Sequence, residues 1–142
     1  MSVATDPIVR ANAGGTAVFA LTAVAAVATK AATVPAAAVA LGLFAAGIGI
    51  FFWAYAIAVN RSRTDAIGIG GLFFLAGEET APKGIKRAFL GLLAVQAVVG
   101  LGTAAARPFT SLAFGVLTPL FGLALTGLWG ARHGRFGSRR AR

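Results

Sequence analysis

NRSRTDAIGIGGLFFLAGEETAPKGIKR, residues 60–87, is the only long stretch of this chain that is neither uniformly apolar nor a simple tail. It carries five of the 13 Lys and Arg residues and three of the four acids. In its middle lies an apolar island of 11 residues, Ala66 to Ala76. A helix of that length reaches roughly 16 Å, about half of a ~30 Å hydrocarbon core. The island therefore cannot span a bilayer, and it reads as a short interfacial or re-entrant helix that directs Phe73 and Phe74 into lipid or the bundle. Longer apolar runs flank it on both sides, so the stretch bridges two membrane hairpins.

Composition agrees with that reading. Of the 142 residues, 58% are hydrophobic and 12% charged, against about 25% charged in a soluble domain. Such a chain cannot cover its apolar surface in water, but it can in lipid. The net charge of +9 does not point to nucleic acid, because the basic residues flank apolar runs and form no aromatic-interleaved helix face. With no cysteine, disulfides, thiolate metal sites and cysteine nucleophiles are excluded.

The expected architecture is a single all-α membrane domain over residues 1–142, with four transmembrane helices in two hairpins. The spans fall at about 13–30, 35–59, 88–106 and 109–129, with a loop at 60–87 and a basic tail at 130–142. Residues 1–12 are polar and are expected to be loosely ordered. The first run with the small residues near Val34 to Ala40 also has signal-peptide character, but a hairpin explains the first two runs together. Pro35 suits the first turn of the second helix, which ends in the interfacial aromatics Phe51, Phe52, Trp53 and Tyr55. Thr80 is the expected N-cap of the third span. Pro119 should kink or loosen the fourth, and Trp129 should mark its exit from the membrane.

Counting Lys and Arg by side gives orientation. Four spans place 11 of the 13 with the N-terminus, middle loop and tail, and leave only Lys30 and Arg107 opposite. The positive-inside rule then expects a bacterial inner (plasma) membrane protein with both termini and the loop in the cytoplasm.

No ionisable residue lies in the central part of any span, whereas proton-coupled carriers need one. Small multidrug transporters, of similar length, depend on a Glu in the first span that this chain lacks. Gln96 is the most polar mid-span side chain, and it reads as an interhelical hydrogen bond worth about 0.6–2 kcal/mol or as a pore-lining amide. Small residues recur every four positions, at Thr118, Gly122, Thr126 and Gly130, and Gly100 continues the row begun by Gln96. These six are the candidate helix-packing or partner surface. The glycines of the island lack the strand and lysine of a phosphate loop. Glu78 and Glu79 diverge by about 100° on a helix and form no acid/base pair. His133 stands alone. Candidate lipid or partner contacts are Arg61, Arg63, Phe73, Phe74, Lys83, Lys86, Arg87, Arg132, Arg135, Arg139 and Arg140, with anionic lipid the expected ligand of the cations.

RSRTDAIGIGGLFFL (61–75) and RPFTSLAFGVLTPLFGLALTGLWGARHGRF (107–136) resemble a group of small, uncharacterised actinobacterial membrane proteins. The resemblance covers the middle loop and much of the C-terminal half. It implies an actinobacterial inner membrane and four spans, and it carries over no catalytic residue. The sequence thus points to a non-enzymatic accessory or scaffold subunit of a larger inner-membrane complex, with no cofactor. Its partners would be anionic lipids and either other membrane subunits or copies of itself. The alternative is a small oligomeric transporter or channel with a polar path near Gln96, Thr103, Thr118 and Thr126.

Overall fold

The structure, a computed structural model, describes residues 5–76, 79–107 and 111–138. Five helices appear in order: α1 (Pro7–Ala28), α2 (Thr33–Arg61), α3 (Ile69–Phe74), α4 (Lys83–Ala106) and α5 (Pro119–His133). Residues Lys30–Ala32 and Ser111–Leu117 are 3-10 segments, and two short strands, β1 (Asp65–Ala66) and β2 (Gly137–Ser138), pair antiparallel. The fold is all-α, with four spans long and apolar enough to cross a membrane.

Helix α1 begins at Pro7, earlier than the apolar run suggested, so residues 7–12 are helical and not loosely ordered. The reason is a capping signal. The Asp6 carboxylate accepts the Ile8 and Val9 N–H groups at 2.9 and 3.2 Å, and Pro7 loses nothing in the first turn. Helix α2, with Pro35 in its first turn, has 29 residues. It is about 43 Å long and must tilt to fit a ~30 Å core.

The island contains the expected short helix, α3. It ends at Leu75, whose φ of 51° is left-handed, a conformation costing a non-glycine residue about 1–2 kcal/mol. Complete burial of the Leu75 side chain offsets that cost. Thr80 does not cap the third span. Its hydroxyl donates to the Ala76 carbonyl at 2.7 Å, and extended Pro82 sets the start of α4.

The fourth span is broken where Pro119 stands. Proline has no N–H and collides with the carbonyl four residues back, here that of Gly115. That carbonyl accepts instead from Thr118 N–H at 3.2 Å, in 3-10 fashion. Helix α5 alone, at 15 residues, reaches only about 22 Å, and the 3-10 segment supplies the remaining length. The expected start of this span, with Pro108 and Phe109, lies outside the described residues, as does Glu78.

The fourth span is the axis of the bundle: 67% of it is buried, against 17–28% of the other three. Each expected hairpin packs internally, and the broadest contact joins them, α2 against α5. Helix α1 also packs on α4. Close approach is possible where side chains are missing. A Cβ on Gly100 would lie 3.0 Å from the backbone carbon of Gly115, so α4 and the 3-10 segment touch backbone to backbone.

Candidate functional site

Gln96 is completely buried at the centre of α4. Its Nε2 donates to Asn12 Oδ1 at 2.9 Å and to Thr16 Oγ1 at 2.7 Å, both on α1. Its Oε1 accepts the backbone N–H of Gly122 at 3.1 Å. Gly122 lies at the end of the first turn of α5, four residues after its N-cap Thr118 and beside the break at Pro119. Gln96 thus bonds to the backbone of the fourth span one turn after the break at Pro119. A side chain at residue 122 would collide with the Gln96 carboxamide. Thr16 completes the set by donating to the Asn12 carbonyl at 2.7 Å. One amide thus ties α1, α4 and α5 together. Every member is neutral, so the cluster can hold helices in register but has no group that takes up or releases a proton.

Two atoms of this region have no partner among the described residues, Asn12 Nδ2 and Thr118 Oγ1, and both residues are fully buried. Thr126 donates to the Gly122 carbonyl at 2.8 Å. At Gly130 a Cβ would lie 2.6 Å from the Leu72 carbonyl, so α3 packs on α5 there. Thr118, Gly122, Thr126 and Gly130 are all buried inside one chain, as is Gly100.

The loop end is clamped by Arg61. Its guanidinium pairs with Asp65 at 2.8 Å. It also donates to the carbonyls of Ala131 at 3.0 Å, Gly130 at 3.4 Å and Gly134 at 3.0 Å. These carbonyls lie at the end of α5, where those of Ala131 and Gly134 have no intrahelical donor and that of Gly130 also accepts Gly134 N–H at 2.9 Å. A cation there is also favoured by the helix dipole. The Phe136 ring lies 5.2 Å from the guanidinium carbon. The β1–β2 pairing, Asp65 with Ser138 and Ala66 with Gly137, fastens the tail to the loop. A bond from Arg135 N–H to the Thr80 carbonyl at 2.9 Å adds a second tie.

Phe73 is buried and stacks on Phe51, with centroids 5.0 Å apart, while Phe74 is exposed. Arg63, Lys83, Arg87 and Arg135 are exposed and Lys86 is half-buried. Lys83, Lys86 and Arg87 line one basic cleft at the start of α4. Arg132 lies over the Trp53 ring at 5.1 Å. Arg139 and Arg140 lie outside the described residues.

Trp129 lies one turn before the end of α5 but faces inward, against the start of α1. It is 5% exposed, and its indole N–H donates to Asp6 Oδ2 at 2.7 Å. Asp6 and Asn12 precede the apolar run that starts at residue 13, so the sequence does not place them, with Thr16, on one helix. The Asp6-Pro7 pair was the available signal, since it sets an N-cap and brings Asn12 and Thr16 onto one helix face. Asp6→Ala removes both the cap and the acceptor of a buried indole, and is expected to cost about 2 kcal/mol. Asp6→Asn keeps a single acceptor oxygen, which can serve the cap or the indole but not both, and should cost about half as much, as read by unfolding titration in mild detergent.

The chain matches no protein-family model, no curated protein and no solved structure.

Proposed function

We propose that the protein is a non-enzymatic accessory or scaffold subunit of a larger inner-membrane complex, with its loop face and both termini in the cytoplasm. The carrying observation is a division of labour. The polar groups in the bundle are bonded mainly to one another, whereas the loop end is a fastened platform with unpaired cations. Arg63, Lys83, Arg87 and Arg135 make no ion pair among the described residues. They sit on helix ends and turns held by Arg61 and by the strand pair. Such a surface suits an acidic face of a partner subunit. An actinobacterial source belongs to this reading on the resemblance of residues 61–75 and 107–136.

The test is affinity purification from native membranes in mild detergent. A stoichiometric partner should co-purify and be lost when Arg87 and Arg135 are both changed to Glu. Recovery of only the single chain or its homodimer would overturn the proposal.

One observation favours the alternative, a transporter or channel. Interrupted spans are where carriers place substrates, and the break at Pro119 lies beside the unpartnered Thr118 hydroxyl. The two readings part at Thr118→Val. If the hydroxyl only sits in a packed interior, removing it relieves an unsatisfied group, and stability should hold or rise by up to about 1 kcal/mol. Solute flux in liposomes that disappears with this folded variant would favour the carrier.

A further inference from the structure

On the lipid side of the loop end, α2 and α3 enclose a cleft of about 500 Å³. Its α2 wall is Phe51, Phe52, Tyr55 and Val59, one face of the helix by their spacing, and its α3 wall includes Ile69 and Phe74. The floor is firm, because Phe73 is stacked on Phe51 and abuts Gly127, where a side chain would strike the Phe73 ring. The volume is typical of a ligand site, and the lining is almost wholly apolar. Polarity changes along its length. Ser62 closes the loop end, followed at once by Arg63, which is exposed and without an ion pair among the described residues. The nearest acid in sequence, Asp65, is held by Arg61.

We propose that this cleft binds one anionic glycerophospholipid, with an acyl chain between α2 and α3 and its phosphate at Arg63. The walls explain the class of ligand. Phe52, Val59, Ile69 and Phe74 are exposed, and the first two lie at the interfacial end of a span, so the mouth opens to the bilayer at that end. An occupant must enter from the bilayer, be apolar for most of its length, and end in a group that suits a guanidinium. A lipid chain and phosphate have that order. The site stands on the membrane placement of α2 and does not depend on a partner subunit.

The test uses the full chain, purified in mild detergent and exposed to equal amounts of phosphatidylglycerol and phosphatidylcholine with the same acyl chains. Native mass spectrometry should show one retained lipid per chain, with phosphatidylglycerol favoured about five-fold, the effect of one basic side chain near an anionic group. Arg63→Gln should keep retention and abolish the preference. Val59→Trp should fill the cleft and abolish retention while the melting temperature stays unchanged. Ile69→Trp, on the other wall and more exposed, serves if that variant does not fold. No retained lipid, equal retention of both lipids by the unaltered chain, a preference that survives Arg63→Gln, or full retention in a folded tryptophan variant would overturn the proposal. So would a dimer that closes the cleft in place of lipid.

Discussion

Gln96→Leu is expected to destabilise the bundle by about 3–4 kcal/mol. Leucine is close in size, so little packing is lost, and the effect isolates the hydrogen bonds. Without the carboxamide, Gly122 N–H and Asn12 Oδ1 lose their close partners, in a region without water to replace them. Each buried group left unpaired costs about 1–3 kcal/mol, which exceeds the ~0.6 kcal/mol average for one polar contact between membrane helices. Gln96→Glu separates the two halves of the network. An ionised carboxylate still accepts from Gly122 but cannot donate to Asn12 or Thr16, and it adds a buried charge. It should therefore be at least as damaging as leucine. Unfolding titration in mixed micelles reads both, and a loss below about 1 kcal/mol for Gln96→Leu would mean that the amide is not the tie between α1, α4 and α5.

Arg61→Ala is expected to cost about 2–3 kcal/mol and to loosen the loop end more than the spans. The side chain serves Asp65 and three carbonyls at the end of α5. It is 29% exposed, so water recovers part of the loss and the estimate stays below the fully buried value. Arg61→Lys should rescue less than half, because a point charge cannot reproduce the planar fork. Amide hydrogen exchange should rise at residues 65–66 and 131–138 and stay low in α1 and α4. A uniform rise would show that the clamp supports the whole bundle.

The four spans and the short α3 were legible because length alone decides them: an 11-residue island cannot cross a bilayer and a 25-residue run can. The break at Pro119 was legible for the same local reason, a missing N–H. Facing was not. The row Thr118, Gly122, Thr126 and Gly130 could have met a neighbour or its own chain, and the answer depends on Gln96 and Leu72, which lie far away in sequence. Arg61 read as a free surface cation because its carbonyl partners are 69 to 73 residues away. Asp6 and Asn12 were hidden by a cap read as a loose terminus. Trp129 then followed the general habit of membrane tryptophans, and the buried carboxylate that holds its indole N–H could not be anticipated.

These placements describe a bundle whose interior polar groups bond mainly to one another and whose loop end is fastened by Arg61. The chain has no cysteine, so a single introduced thiol reports its own surroundings. Thr126→Cys places one on the buried row, where Thr126 is 1% exposed, and Thr64→Cys places another on the exposed loop. A thiol reacts only as a hydrated thiolate. With a membrane-impermeant thiol reagent applied to both faces of native vesicles, Cys substituted at Thr64 should be labelled and Cys substituted at Thr126 should remain unmodified. Labelling at both positions at similar rates would reveal water beside the α5 axis, and would contradict a closed interior.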